Sequence, residues 1–191
     1  LQRHTLEALW PTSLRGKTVA DIGCAGGSFL DHVSGIAERL VAIEPATMYH
    51  KDLRRRGYHT HAFAEDAAAA FSGKIDVAVS SQVIEHVLDP RAFLVDIAKL
   101  LASDGTLLIS TPNRDDILMD LLPDDFPSFF YRSVHRWYFD AASLARCAER
   151  AGLTATATHY VHRYDMANAL LWLRERRPCG LGGLPALNGV A

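Results

Sequence analysis

Residues 17–29, KTVADIGCAGGSF, run a short apolar strand into a glycine-rich turn and then, with Phe29, Leu30 and Val33 at helical spacing, straight into a helix. A strand that passes to a helix through glycines leaves bare backbone at the carboxyl edge of a parallel sheet, and open α/β folds hold their ligands at that edge. The rest of the chain repeats the alternation. Strands are expected at Arg39–Glu44 (RLVAIE), around Tyr58–Phe63, at Lys74–Ser80 (KIDVAVS), at TLLIST after Asp104-Gly105, and at LTATATHYV (153–161). Helices are expected before Pro11, from near Pro45, over the alanine-rich 65–70, and after Asp89-Pro90, where an N-cap and an N1 proline precede the stripe Phe93, Leu94, Ile97, Ala98 and Leu101. Asp140 caps another, with Leu144, Cys147 and Ala148 on one side and Gly152 at its end, and Asp165–Arg177 reads as a basic-ended amphipathic helix. CGLGGLPALNG beyond it reads as a loop or an incomplete element. The pattern predicts an α/β fold, a Rossmann-like, doubly wound, mostly parallel sheet with helices on both faces.

At 191 residues one domain spanning 1–191 is expected rather than two, and 49% hydrophobic against 22% charged residues supports a real core. The net charge of −2 gives no bulk attraction to nucleic acid. Three widely spaced cysteines, Cys24, Cys147 and Cys179, form neither a disulfide framework nor a metal knuckle. No apolar run reaches a membrane span and LQRHTLEALWP lacks a signal-peptide core, so a cytoplasmic protein is expected. The missing initiating Met suggests a trimmed or fragmentary chain.

Glu44 ends the second strand about 20 residues beyond the first glycine, where a carboxylate accepts hydrogen bonds from both ribose hydroxyls of a nucleoside cofactor. The glycines decide which one. A dinucleotide pattern GxGxxG admits a pyrophosphate at the helix N-terminus, whereas this chain reads GxxGG with Asp21 just before it. That carboxylate repels a diphosphate and tolerates an ammonium and a sulfonium, which favours S-adenosylmethionine over NAD. The missing GKS or GKT excludes a P-loop.

With these residues in view, the sequence resembles the class I S-adenosylmethionine-dependent methyltransferases over roughly residues 16–160. DIGCAGGSF resembles the first motif of that family, with Ala25 in place of the usual central glycine, and IEP (43–45) resembles its ribose motif. SSQVIEHVLDP (80–90), GTLLISTPN (105–113) and HRWYFDAASL (135–144) are similar to the branch containing ubiquinone-biosynthesis O-methyltransferases and many sugar and natural-product methyltransferases. The resemblance implies a cofactor site made by Asp21, Gly23, Cys24, Ala25, Gly26, Glu44 and Pro45, with Ala64, Glu65 and Asp66 at the adenine and Ser80, Ser81 and Gln82 beneath the methionine end. It also implies a final strand, which no segment before Ala191 supplies; YDMANALLWLRERRPCG (164–180) resembles the stretch that precedes it in several members, so truncation or disorder at the C-terminus is expected.

Nearly thirty residues separate the fifth strand from the Asp140 helix, and 7 of the 17 aromatic residues fall between 126 and 139. Such a length and composition predict a lid over 113–139 whose rings wall a substrate pocket. For a hydroxyl acceptor the chemistry needs a base, and His86 and His135 are the candidates, with Glu85 orienting its neighbour. If 82–86 is helical, Gln82, Glu85 and His86 share a face. In small-RNA 2'-O-methyltransferases a similar segment supplies two glutamates and a histidine as metal ligands, joined by a histidine from the lid; the matching residues here are Gln82, Glu85, His86 and His135, and Gln82 replaces an anionic ligand with a neutral one, so no metal is expected. The leading expectation is therefore methyl transfer from S-adenosylmethionine to a hydroxyl of a small metabolite such as a sugar or natural product. A non-catalytic cofactor-binding scaffold and a divalent-metal RNA 2'-O-methyltransferase are the alternatives; the balanced charge opposes a nucleic-acid partner.

Overall fold

The structure is a computed structural model that describes residues 14–161 and 166–176. Five parallel strands form one sheet in the order β3-β2-β1-β4-β5: β1 Thr18–Ile22, β2 Arg39–Ile43, β3 His59–His61, β4 Ile75–Ser81 and β5 Leu101–Ser110. The helices between them are α1 Ser28–Val33, α2 His50–Arg55 after a single 3-10 turn at Thr47–Tyr49, α3 Ala64–Phe71 and α4 Pro90–Leu100. The order reverses between β1 and β4, so their carboxyl ends open a crevice there.

Every residue of β1 is buried, because alternate side chains serve two different cores. Val19 packs with Leu30, Val33, Leu53, Tyr58, Val77 and Val79 under α1 and α2. Ala20 and Ile22 pack with Ala67, Phe71, Ile97 and Leu100 under α3 and α4. The start of α4 follows the expected chemistry, with Asp89 Oδ1 accepting the Ala92 amide at 3.0 Å and Pro90 opening the helix.

Beyond β5 the chain builds two short helices, α5 Ile117–Leu121 and α6 Phe126–Phe130, then α7 Ala141–Arg150 and α8 Met166–Glu175. Asp140 caps α7 as expected, accepting the Ser143 amide at 2.6 Å. Leu144, Cys147 and Ala148 of α7 pack around Ile84, Leu94 and Phe139.

Two expectations are corrected. Residues 153–161 form no strand: nothing pairs with them among the described residues and 154–161 are exposed. Their alternation is one of Ala and Thr, which gives little apolar area to hold a strand in place. β5 begins at Leu101, expected on the stripe of α4, rather than after Gly105, and it is half-buried, since β4 is its only neighbour among the described residues. Its register slips between the Ile75–Leu101 and Val77–Thr106 pairs, and there a Cβ on Gly105 would sit 2.7 Å from the Ile75 carbonyl oxygen. The expected helix before Pro11 and the loop CGLGGLPALNG lie outside the described residues, as do Asp165 and Arg177 at the ends of the helix seen as α8.

Candidate active site

The glycine turn after β1 has a different requirement at each position. Gly23 (φ +77°) lies against Val83 so closely that no Cβ fits, and Gly27 (φ +75°) would put a Cβ 2.6 Å from Leu53 Cδ2. Gly26 is the exception: it lies outside the left-handed region and a Cβ there would meet open space. The fold therefore does not require glycine at Gly26, whereas a ligand approaching the backbone would. Ala25, at φ +45°, adopts the left-handed conformation with a Cβ in place.

Glu44 reaches this turn from the end of β2. Its Oε2 accepts the Ala25 amide at 2.7 Å and its Oε1 accepts the Ala46 amide at 2.8 Å, while its backbone oxygen meets His50 Nε2 at 2.6 Å. The carboxylate is thereby fixed in orientation, and each oxygen keeps a lone pair for a ribose hydroxyl. Asp21 lies on β1 before the turn, and burial first, then the charge of Glu44, pushes its carboxyl up to about 7. Cys24 is buried and its thiol is pushed up to about 12, chiefly by burial, which leaves it a packing residue. Asp66 caps α3 by accepting the Phe63 amide at 3.0 Å, with Ala64 and Glu65 in the same first turn. Pro45 lies between Glu44 and the Ala46 amide that bonds it.

Beneath the crevice, Ser80 is fully buried and its Oγ has no hydrogen-bond partner, whereas Ser81 Oγ lies 2.9 Å from Ser110 Oγ. Gln82 turns left-handed at φ +58° and gives its amide to Ser110 O at 2.8 Å. Residues 82–86 are thus a turn rather than a helix, and the one-face relation considered from the sequence does not apply.

That turn delivers Glu85 and His86 to the residues 132–139 of the expected lid. Glu85 is 1% exposed; its Oε2 accepts from Thr111 Oγ1 at 3.1 Å, and its Oε1 has no hydrogen bond. His86 Nδ1 lies 2.9 Å from the Val134 carbonyl oxygen. A carbonyl only accepts, so Nδ1 carries a proton, and the uncharged form of the ring has its lone pair at Nε2. That atom is 4.0 Å from Glu85 Oε1. The His135 ring stands 4.8 Å from the His86 ring at 78°, with a buried, unbonded Nδ1. Burial chiefly holds His135 below the ordinary histidine range, helped by His86 and Arg132 and opposed by Glu85. One ligand atom from each of Glu85, His86 and His135 lies within 4.8 Å of the others, so the three expected catalytic residues come together and also offer a face to a cation.

The aromatic segment divides. Phe126 and Phe129 pack on Trp172 at 5.2 and 4.7 Å and form a small core with Leu118 and Leu122, while Tyr131 and Trp137 remain exposed. Trp137 Nε1 donates to Val87 O at 2.9 Å, and the amides of Arg136 and Trp137 donate to Glu85 O. Sequence reasoning missed Thr111 and Arg56. Thr111 sits at the sheet edge inside GTLLISTPN, so its position was a usable signal; Arg56, whose Nη2 bonds Gly26 O at 2.5 Å, gave none.

A family model described as a methyltransferase domain matches residues 2–158. The chain belongs to the class I S-adenosylmethionine-dependent methyltransferases. Its cofactor is S-adenosylmethionine, and the open backbone at Gly26 beside Glu44 fits that group. Among relatives, the ubiquinone biosynthesis O-methyltransferase of Thiobacillus denitrificans is 30% identical over 160 residues, 73% of this chain and 66% of its own length. The protein of the same name from Aeromonas salmonicida is 28% identical over 173 residues, 81% of this chain and 70% of its own length. The chain thus spans just under two thirds of the Thiobacillus methyltransferase. In fold, the methyltransferase domain is similar to the 1,6-didemethyltoxoflavin-N1-methyltransferase of Burkholderia thailandensis, with a TM-score of 0.63 and 20% identity over 85% of this chain and 71% of that one. No helix among the described residues is long and apolar enough to cross a membrane.

Proposed function

We propose that this chain transfers the methyl group of S-adenosylmethionine to a hydroxyl of a small metabolite, a sugar or natural product, inside the cell and without nucleic acid. The carrying observation is the His86 Nε2 lone pair, directed by the Val134 carbonyl toward Glu85 and His135 at the sheet edge. The relatives named as O-methyltransferases support a hydroxyl acceptor. In the step proposed, the acceptor oxygen forms a bond to the methyl carbon as the carbon–sulfur bond breaks, the sulfonium becomes a neutral thioether, and the hydroxyl proton passes to His86 Nε2. Glu85, buried and fixed by Thr111, stabilises the imidazolium that results. Asp21, Gly23, Cys24, Ala25, Gly26, Glu44 and Pro45 form the cofactor wall, Ala64, Glu65 and Asp66 border the adenine, and Ser80, Ser81 and Gln82 floor the methionine end. The segment 113–139 closes over the acceptor and excludes water.

Incubation with methyl-labelled cofactor and a panel of sugars, phenols and glycosylated metabolites should yield an O-methyl product. H86A should lower turnover by roughly 10² to 10⁴ with cofactor affinity nearly intact. Label that stays on the cofactor across the panel, with binding intact, would point to the scaffold reading.

One observation favours a second reading of the same residues. Glu85 Oε1 and His135 Nδ1 are both without hydrogen bonds, as expected of ligands awaiting a divalent cation. Such an ion would be held by Glu85, His86 and His135 and would acidify the acceptor hydroxyl. In the metal-free mechanism chelation leaves the rate unchanged; loss of activity on chelation, restored by Mg²⁺ or another divalent ion, selects the cation instead.

A further inference from the structure

Asp21 brings a carboxylate to the ligand crevice that the protein leaves without a counterweight. The residue is 6% exposed, and among the described residues no donor or cation reaches its carboxyl. The ionisable groups that face it are Glu44, from the end of β2, and Cys24, in the turn. The adjoining strand β4 presents Val79 in register and then Ser80, neither charged. Glu44 has two backbone amides on its two oxygens, whereas Asp21 has none. Of two buried carboxylates sharing a sheet edge, the one without donors is the one that keeps a proton.

We propose that Asp21 is protonated in the cofactor-free protein and gives up that proton when the positively charged cofactor enters, so that binding is coupled to proton release. This rests on the S-adenosylmethionine reading of the crevice. The sulfonium and ammonium supply the positive charge that the protein withholds, and the ionised carboxylate then holds the methionine end by direct attraction. The proton goes to solvent, and the same carboxyl takes one back when the site empties. The upward shift of Asp21 to about 7 places the exchange in the neutral range.

Calorimetric titration of the protein with S-adenosylmethionine at pH 6.5, in phosphate and in Tris, tests this. The observed heats should differ between the buffers by the amount expected for roughly half to one proton released per cofactor bound, and the difference should vanish in D21N. Equal heats in the two buffers, with binding intact, would overturn the proposal. Should D21N bind too weakly to measure, the side-chain carboxyl ¹³C resonance of Asp21 in the unaltered protein decides: it should titrate near neutrality without cofactor and remain ionised with it. An Asp21 already ionised at pH 6 in the free protein would equally overturn the proposal. Absence of any binding heat together with a normal neutral-range titration would instead remove the cofactor reading and confine the effect to the free protein.

Discussion

Ala25 and Gln82 carry side chains in left-handed backbone, at φ +45° and +58°, on either side of the crevice. The left-handed conformation costs an L-residue roughly 1–2 kcal/mol, while a glycine there returns roughly 0.5–1 kcal/mol of that through the entropy of the unfolded chain. A25G should therefore leave stability level or raise it by up to about 1.5 kcal/mol, and A25V, β-branched, should lose about 2 kcal/mol or more in urea unfolding. Equal stability of the two variants would mean that the turn is not held left-handed. Asp21 gives a pH-dependent counterpart. Its carboxyl titrates at 3.8 in its ordinary state and at about 7 when folded, so between those values the folded chain binds more protons and stability falls as pH rises. Above 7 the whole penalty is present. D21N should thus stabilise the cofactor-free protein on the order of 2 kcal/mol at pH 8 and have little effect at pH 4, read from urea midpoints at both values; a gain independent of pH would contradict the assignment. Neither strain nor proton was visible in the sequence. Asp21 and Glu44 were, because their spacing from the glycines is fixed by strand length, but the amide bonds that lock Glu44 depend on how the turn closes.

At the scale of elements, strands with branched apolar side chains were legible and LTATATHYV was not, because its small side chains make pairing depend on a neighbouring strand. Asp89-Pro90 and Asp140 announced α4 and α7 because capping is local chemistry. Residues 82–86 misled for the opposite reason: the left-handed Gln82 that makes them a turn is set by a bond to Ser110, 28 residues away in the chain. The insertion between β5 and α7 was legible in its length and its rings, and its contacts divide it into a fastened part and a part with its own small core. Residues 134–139 are pinned to the body by His86, Glu85 and Val87, and Phe139 is bridged to Asn113. The stretch 115–131 carries α5 and α6, whose small core ends on Trp172 of α8. Limited proteolysis of the free protein should cut within 115–131 and spare 134–139, with protection once cofactor and acceptor are both present. Equal cleavage with and without ligands would make the segment a rigid insertion.

For the whole molecule, a sheet buried on both faces and reversed between β1 and β4 gathers at one edge a glycine turn, a fixed glutamate and a histidine pair from opposite halves of the chain. His86 and His135 are brought to 4.8 Å by the lid's return to the sheet edge, a contact that the sequence implied only through resemblance. In the reading proposed above, this edge holds a cationic nucleoside rather than a dinucleotide. Calorimetric titration of the unaltered protein and of E44A with S-adenosylmethionine and with NAD tests it most directly. S-adenosylmethionine should bind, E44A should weaken that binding by roughly 1.5–3 kcal/mol while the domain stays folded, and NAD should give negligible heat. NAD binding as tight as or tighter than S-adenosylmethionine, or an E44A loss below about 0.5 kcal/mol, would contradict it.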